Sequence, residues 1–302
     1  MTLNKHAYLI IAHNEFELLE NLVEVLDDER NDIYIHIDLK SKIDENFKKK
    51  FVGCKSAVYF IERTTINWGG FSQIQCEINL LKAATEKTYA YYHLLSGVDF
   101  PLKNQDEIHD FFEKNMGKEF IHFNEKDIQK NILARVKFYY LIQDSSFFTK
   151  NKITGMLRNK TNHFFNKFQK LMGIDRMRNS NVTYMKGANW FSITNDFAEY
   201  TVSQEKWISK IFRNTLCGDE FFLQTLLYNS QFKENLYSKE FNDNYLSIMR
   251  YIDWEKGNPY TWRTEDFNRL KNSPYLFARK FSLKIDNELI YHLKESILCT
   301  RK

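Results

Sequence analysis

The stretch HAYLIIAHNEFELLENLVEVLDDERNDIYIHID, residues 6–38, decides the fold. Its two apolar runs, residues 6–13 and 32–38, have the length and the branched or aromatic composition of buried strands. Between them, five apolar residues repeat at the spacing of one helix face: Leu18, Leu19, Leu22, Val23 and Leu26. A strand, a helix and a second strand in this order predict a right-handed β-α-β unit with parallel strands.

The same alternation continues along the chain. A third apolar run (57–62) and a helical pattern (72–86) lead into a fourth run (89–103), which is interrupted by Gly97 and Pro101. Four strands with intervening helices predict an α/β fold with an open sheet flanked by helices. In such sheets ligands bind beyond the carboxyl ends of the strands.

The rest of the chain has two parts. Residues 104–182 are basic and aromatic and predict a helical insertion with substrate-facing loops, whereas residues 183–302 return to strand-then-helix patterns. No internal repeat and no low-complexity linker separates these parts from residues 1–103. We therefore expect a single domain over residues 1–302 with an elaborated middle.

The composition is that of a folded globular protein, with 302 residues, 43% hydrophobic residues and a formal net charge of +4. This charge is too small to indicate a nucleic-acid partner, but it suits an anionic ligand or an acidic membrane surface. No apolar run approaches the ~20 residues that span a bilayer. The apolar patch at the N-terminus is interpreted as a strand, not as a signal peptide. The expected location is the cytoplasm.

The cysteines carry no metal pattern. Cys54, Cys76, Cys217 and Cys299 are scattered, without a C-x-x-C motif or paired histidines. A zinc site is therefore not expected. Scarce, unpatterned cysteines favour a reducing compartment.

Two loops near strand ends contain residues that could bind a ligand. In HIDLKS (36–41), Asp38 could accept hydrogen bonds from a ribose or a base, or it could simply close the turn after the strand. In SGVDFP (96–101), Asp99 could hold a sugar hydroxyl or bond to its own loop backbone. Both alternatives stay open for each residue.

A third loop contains adjacent glycines. Trp68, Gly69 and Gly70 precede the helical pattern of residues 72–86. Two glycines permit close approach of the backbone to a ligand, and they are equally common in ordinary loops.

The stretch GDEFFLQTLL places two acids, Asp219 and Glu220, at the start of a predicted helix. Acids in a first turn gain ~0.3–1 kcal/mol from the helix dipole, which also keeps them ionised. A general base instead contributes ~10²–10⁴ in rate. The stretch alone therefore fits a helix start and a catalytic base.

Two motifs are absent. No G-x-G-x-x-G follows the first strand, which disfavours a dinucleotide-binding fold. No D-x-D occurs; the nearest approach is Asp253-Trp254-Glu255. Enzymes that use nucleotide-sugars often hold a divalent metal with that motif. If this protein uses a nucleotide-sugar, the cations that could replace the metal are Arg263 and Lys280.

Five motifs in this order resemble the core-2/I-branching β-1,6-N-acetylglucosaminyltransferase family, which also contains the peptide O-xylosyltransferases. They are HIDLKS, NWGGFS, SGVDFP, GDEFF and FARKF, and the resemblance covers nearly the whole chain. It implies a GT-A-type nucleotide-sugar transferase fold and an inverting, metal-independent transfer. The expected donor is a UDP-sugar, first of all UDP-N-acetylglucosamine, and the expected acceptor is a hydroxyl of a glycan or a lipid-linked oligosaccharide.

The resemblance also implies roles for single residues. Glu220 is expected to be the catalytic base, and Arg263 and Lys280 are expected to bind the diphosphate. The other residues expected at the donor are His13, His36, Asp38, Lys40, Trp68, Gly69, Gly70 and Asp99. The residues expected at the acceptor are Asp219, Trp190 and Trp254; the tryptophans could equally be core residues. Arg135 and Lys137 lie in the basic middle, which has no clear match in the family; they could face the acceptor or form a solvated basic surface. Neither a metal nor another cofactor is expected.

The chain departs from the animal members in two expected respects, because neither an N-terminal membrane anchor nor a disulfide framework is evident. The expectation is a bacterial enzyme of surface polysaccharide synthesis, in peripheral contact with the inner face of the cell membrane. Two alternatives remain: transfer of xylose or another UDP-linked sugar on the same scaffold, and a carbohydrate-binding protein without catalysis.

Overall fold

The computed structural model describes residues 5–125, 133–145, 147, 152–178, 180–242 and 244–299. The strands are β1 (His6–Ala12), β2 (Asn31–Ile37), β3 (Ala57–Phe60), β4 (Tyr91–Ser96), β5 (Asp99–Pro101), β6 (Phe120–Ile121), β7 (Phe191–Thr194), β8 (Arg250–Ile252) and β9 (Phe277–Arg279). The helices are α1 (Phe16–Leu26), α2 (Phe71–Ala84), α3 (Gln105–Lys114), α4 (Ala134–Lys137), α5 (Lys152–Leu171), α6 (Asn195–Ser203), α7 (Glu205–Phe212), α8 (Phe222–Tyr228), α9 (Phe267–Lys271) and α10 (Asn287–Leu298).

The main sheet has six strands in the order β3-β2-β1-β4-β7-β6. β1, β2, β3 and β4 run parallel to one another, whereas β7 runs antiparallel to β4 and β6. The carboxyl ends of β1, β2 and β4 therefore meet at one edge of the sheet. The parallel β-α-β unit predicted from residues 6–38 is confirmed.

Alternate residues of β1 enter two hydrophobic cores, one on each face of the sheet. Tyr8 and Ile10 pack in the core that contains α1 and α10. Ala7 and Leu9 pack in the core that contains α2, α6 and α8. Both faces are covered because every residue of β1 is apolar or aromatic, as is usual for a buried parallel strand. The expected α/β fold, with an open mixed sheet flanked by helices, is confirmed.

A second sheet of three strands, in the order β5-β9-β8, connects the fourth predicted run to the C-terminal part of the chain. The sequence predicts a strand in residues 89–103 that is ended by Gly97 and Pro101. β4 ends at Ser96, the chain turns at Gly97, and the short strand β5 pairs with β9 outside the main sheet. Gly97 lies against β1, since a Cβ atom there would stand 3.0 Å from the Cβ atom of Ala12.

The middle of the chain is not helical throughout. α4 and α5 lie in residues 104–182 as expected, but β6 also lies there and pairs with β7 in the main sheet. The part of this insertion at residues 126–132, 146, 148–151 and 179 lies outside the described residues. No helix among the residues that the structure describes is both long and apolar enough to cross a membrane.

Candidate active site

A cleft of about 350 Å³ lies at the carboxyl ends of β1, β2 and β4. It is lined by Ile11, His13, Asp38, Lys40, Ile66, Trp68, Gln73, Glu77, Leu94, Leu95, Ser96, Asn189, Trp190 and Arg279. This is where the parallel order of the sheet predicts a ligand. Five residues predicted from the sequence line it together: His13, Asp38, Lys40, Trp68 and Trp190.

Asp38 and Lys40 form one wall of the cleft. A carboxylate oxygen of Asp38 accepts a hydrogen bond from the Lys40 backbone N–H at 2.9 Å, and the Lys40 ammonium lies 3.6 Å from its other oxygen. Asp38 therefore closes the turn after β2 and also faces the cleft. The alternative that Asp38 closes the turn is confirmed, and its binding of a ribose or a base stays a prediction.

The Trp68-Gly69-Gly70 turn forms the rim, and the side chain of Trp68 is 68% exposed. Gly69 has a φ of 73°, which favours glycine, and its backbone N–H donates to the side-chain oxygen of Gln73. A Cβ atom at Gly70 would stand 2.0 Å from the Asp144 carboxylate. The turn therefore favours glycine at position 69, whereas a side chain at position 70 would displace the flexible Asp144 carboxylate.

Arg279 lies at the inner end of the cleft, where its guanidinium stacks over the ring of Trp190 at 4.1 Å. Its Nε lies 3.6 Å from a carboxylate oxygen of Asp99. Burial lowers the pKa of Arg279, and the charge of Asp99 opposes this shift. The result is a largely buried cation that faces the cleft.

Asp99 itself is buried and does not line the cleft. Its two oxygens accept hydrogen bonds from the Ser96 backbone N–H at 2.8 Å and from the Ser96 hydroxyl at 2.7 Å. It therefore bonds to its own loop, which was one of the two alternatives, and it also contacts Arg279.

A network of two buried acids and two amides forms the floor. Glu77 and Asp219 both accept from the Asn189 side-chain amide, at 3.1 and 3.2 Å, and Asp219 also accepts from the Gln73 amide at 3.0 Å. One oxygen of each acid, Glu77 Oε2 and Asp219 Oδ1, is buried without a hydrogen-bond partner among the described residues. Two acids in such a place hold a proton more tightly than acids in water.

The pKa values of these two acids are raised. Burial raises the pKa of Asp219 to about 6, and the neighbouring charge of Glu220 adds to the shift. Burial, followed by the charge of Asp219, raises the pKa of Glu77 well above its ordinary value. The site therefore favours the protonated form of Glu77.

Glu220 lies next to this network and is partly exposed. One of its carboxylate oxygens, Oε2, binds Arg135 at 2.9 Å and Lys186 at 3.2 Å. Gly218–Glu220 form a 3₁₀ turn before α8, so neither Asp219 nor Glu220 lies in the first turn of that helix. Both side chains bind residues of other segments, which disfavours the alternative that they cap a helix.

The remaining predicted residues lie outside the lining of the cleft. His36 is buried in β2, where its Nε2 accepts from the Thr64 backbone N–H at 2.9 Å. Arg263 and Trp254 are exposed, and Lys137 pairs with Asp175 at 3.1 Å. Lys280 follows β9 and is close enough for its charge, together with that of Arg279, to lower the pKa of His13, which partial burial lowers most.

Residues 6–272 match the profile of the Core-2/I-Branching enzyme family. The chain belongs to the core-2/I-branching enzyme family. All the predicted site residues except Lys280 lie within the matched range, and Arg279 also lies beyond it.

This core-2/I-branching enzyme is similar to proteins named xylosyltransferases. It is 24% identical to xylosyltransferase 2 of Rattus norvegicus over 94% of its own length and 32% of that protein. It is 23% identical to xylosyltransferase 2 of Homo sapiens, with the same coverage, and 23% identical to a xylosyltransferase of Ciona intestinalis over 95% of its own length and 33% of that protein. The chain thus spans about a third of the length of these relatives.

A solved structure of TarS residues 1–349 from S. aureus overlaps the core-2/I-branching chain with a TM-score of 0.30 and 10% identity, over 78% of this chain and 75% of that one. A TM-score this low supports no inference about function.

Five polar residues that line the cleft of the core-2/I-branching enzyme were not predicted as site residues from the sequence: Gln73, Glu77, Ser96, Asn189 and Arg279. Arg279 directly precedes Lys280 in FARKF, so the motif itself was a signal for it. Successive strand residues point to opposite faces. Which of Arg279 and Lys280 faces the cleft therefore depends on the orientation of β9, which the sequence does not give. Glu77 lies in a helical pattern, where an acid is normally taken as exposed.

The described residues contain no group of three or more histidine, cysteine, aspartate or glutamate side chains that could hold a metal ion. The cations near the cleft of the core-2/I-branching enzyme are instead Lys40, Arg279 and Lys280.

Proposed function

We propose that this core-2/I-branching enzyme transfers a sugar from a UDP-sugar to a hydroxyl of a glycan, with inversion and without a metal. The observation that supports it best is the cleft itself. Its strand ends carry Asp38 and Arg279, and its floor adjoins the carboxylate of Glu220 through Asp219.

The nucleotide is proposed to bind between the ends of β1 and β2. Asp38 and His13 offer hydrogen bonds to the ribose and the base, and Trp68 offers an aromatic face at the rim. A uracil is planar and has polar groups at its edge, so it can stack on Trp68 while its edge forms hydrogen bonds. Lys40 lies beside them and adds a positive charge for the first phosphate.

The diphosphate is proposed to bind Arg279 and Lys280. A guanidinium binds two phosphate oxygens at once, and its burial here strengthens the attraction because less water screens it. Both cations stabilise the leaving UDP when the anomeric bond breaks. The geometry supports Arg279 at this place better than Arg263, which is exposed.

Glu220 is proposed to remove the proton from the acceptor hydroxyl. Arg135 and Lys186 both bind its Oε2, and we assign Oε1 to the acceptor proton. The freed oxygen attacks the anomeric carbon from the side opposite the UDP, which inverts that centre. Asp219, Trp190 and Arg135 are proposed to border the acceptor.

The donor sugar is proposed to be N-acetylglucosamine, as the resemblance implies. A second candidate is xylose, because the relatives are named xylosyltransferases. The acceptor is proposed to be a glycan or lipid-linked oligosaccharide of bacterial surface polysaccharide, reached at the cytoplasmic face of the membrane.

The test is a thermal-unfolding panel with UDP, UDP-N-acetylglucosamine and UDP-xylose, in the presence of a chelator. A nucleotide at 100 times its Kd adds about 2.7 kcal/mol to the free energy of unfolding. We expect UDP to stabilise the protein, and one UDP-sugar to stabilise it further and to be turned over. Stabilisation by glycans but by no UDP compound would indicate a carbohydrate-binding protein, and a strict need for Mn²⁺ would exclude the metal-independent mechanism.

Two arginine variants make the same panel specific to the diphosphate site. We expect Arg279→Gln to weaken UDP binding at least ~10-fold, because a charge-assisted bond to phosphate is lost. Arg263→Gln is the matched control and should leave UDP binding nearly unchanged. The opposite result would assign the diphosphate to Arg263.

A further inference from the structure

Helix α5 is amphipathic, but its polar face is buried and its apolar face is exposed. Three of its polar side chains, Arg158, Asn162 and Gln169, are at most 9% exposed and face the protein. The Asn162 amide donates to Gln143 Oε1 at 3.2 Å, and the Gln169 side chain accepts from the Tyr139 backbone N–H at 2.8 Å. The polar face of the helix is thus the one that packs on the domain.

The opposite face is apolar and exposed. Ile153 is 78% exposed, Phe164 70% and Leu171 84%. The same face and its edges include further exposed side chains: Met156, Leu157, Phe165 and Phe168, with Met172 directly after the helix. A large exposed apolar patch on a helix indicates a surface that binds a protein, a membrane or another ligand.

The segment around the helix carries only positive charge. From residue 145 to residue 174 the sequence contains no aspartate or glutamate. It contains six basic residues: Lys150, Lys152, Arg158, Lys160, Lys167 and Lys170. Among the residues with described side chains, Lys160, Lys167 and Lys170 are exposed.

We propose that α5 docks on the surface of a bilayer that contains anionic phospholipids, with Ile153, Phe164, Phe168 and Leu171 entering the interface. Large apolar side chains flanked by lysines are what such a surface binds: the acyl region takes the apolar face, and the lipid phosphates take the lysines. The helix lies in the interface and does not cross the membrane.

The charges select this occupant over a second copy of the chain. A symmetric dimer through this face would place the patch against itself, and the same lysines would approach one another. Anionic lipid supplies the negative charge that the acid-free segment lacks.

The docked helix also contacts the cleft. Gln143 accepts from Asn162 of α5 and donates to the backbone oxygen of Trp68 at 2.8 Å. One amide therefore joins the polar face of α5 to the rim of the cleft. If the proposed function holds, docking keeps this rim near a lipid-linked acceptor; the docking itself does not depend on that function.

The test is co-sedimentation of the full chain with vesicles of phosphatidylcholine alone and with about 30% phosphatidylglycerol. We expect binding to the anionic vesicles and at least ~10-fold weaker binding to the neutral ones. The double variant F164S/F168S should lose at least ~10-fold in binding, because two aromatic side chains no longer enter the interface. Lys160→Gln and Lys167→Gln should each lose about fivefold.

Val52→Ser is the control for the aromatic variants, since Val52 is 83% exposed and lies outside this segment. Lys239→Gln is the control for the lysine variants. Both should bind vesicles as the unchanged chain does. Vesicle binding by F164S/F168S equal to that of the unchanged chain would overturn the proposal. So would an unchanged chain that binds no vesicles and forms a dimer in solution, if F164S/F168S converts this dimer to a monomer. A cooperative thermal-unfolding transition in each variant shows that it is folded, and UDP-induced stabilisation tests the enzyme function separately.

Discussion

At the scale of single residues, the two adjacent acids Asp219 and Glu220 have different surroundings. Asp219 faces inward and receives hydrogen bonds from two amides, whereas Glu220 is partly exposed and binds two cations. Asp219 is therefore held inside the protein, whereas Glu220, the proposed base, can be reached from the solvent.

The first prediction concerns Glu220→Gln. The amide cannot take a proton, so turnover should fall at least ~10²-fold. The pair with Arg135 and Lys186 is partly exposed, and its loss should change the free energy of unfolding by less than about 1 kcal/mol. Steady-state kinetics and urea unfolding measure the two effects. A fully active Gln variant would remove Glu220 from the mechanism.

The second prediction concerns the raised pKa of Asp219, about 6. A carboxyl that holds its proton more tightly when folded stabilises the folded state at low pH, and this stabilisation is lost as the pH rises through the folded pKa. In the folded protein Asp219 is mostly protonated at pH 5 and mostly ionised at pH 7, so its burial destabilises the folded state more at pH 7. Relative to the unchanged chain, Asp219→Asn should be more stabilising at pH 7 than at pH 5 by about 1 kcal/mol.

Urea unfolding of both proteins at the two pH values measures this difference. Comparison of the two chains cancels the contributions of titrating groups that do not interact with Asp219, such as the buried His6 and His93, whose pKa values burial lowers. A difference independent of pH would show that Asp219 is already ionised at pH 5.

At the scale of elements, the helix α1 has the bounds that the sequence predicts, Phe16–Leu26. The five residues at regular helical spacing, Leu18, Leu19, Leu22, Val23 and Leu26, all face one core. The turn at Gly218–Glu220 could not be predicted in the same way. Cys217 adopts a φ of 49°, and the residues that fix this turn are distant in sequence: its backbone N–H donates to Gly69 at 2.8 Å.

The third prediction contrasts two glycines. A Cβ atom at Gly187 would stand 1.7 Å from the backbone oxygen of His122, and the Gly187 N–H donates to the backbone oxygen of Glu220. Gly187→Ala should therefore cost at least ~3 kcal/mol and lower activity. Gly155, in α5, has no atom within 4 Å of such a Cβ. Gly155→Ala should add about 1 kcal/mol, as alanine does in a helix interior.

Urea unfolding of the two variants, with activity measured beside it, checks this contrast. If Gly187→Ala has the same free energy of unfolding as the unchanged chain, the segment around residue 187 can move away from His122 without loss of stability.

At the scale of the whole molecule, the four cysteines are free. The fold therefore rests on its two cores and its sheets. We expect the melting temperature to change by less than about 1 °C when a reductant is added, because no disulfide restricts the unfolded chain. A fall of several degrees would reveal a disulfide between two of these residues. Thermal unfolding with and without dithiothreitol measures it.

The arrangement of the elements in the whole molecule was only partly predictable from the sequence. The order of β1, α1 and β2 follows from local periodicity, and so does the position of the cleft at their ends. The pairing of β5 with β9 brings Asp99 and Arg279 together across most of the chain. No local pattern contains that contact, because it depends on which distant strands share an edge. This explains why Asp38 and Lys40 were found and Arg279 was missed.

The floor amide of Asn189 has one further consequence. Its nitrogen donates to Glu77 and to Asp219, so its carbonyl oxygen is the atom left for the cleft. A sugar hydroxyl can donate to that oxygen, whereas a phosphate oxygen only accepts and is repelled by it. Arg279 has the opposite preference. The cleft therefore has a polarity: a nucleotide-sugar that binds as proposed would match it in one orientation and be mismatched at both ends in the other.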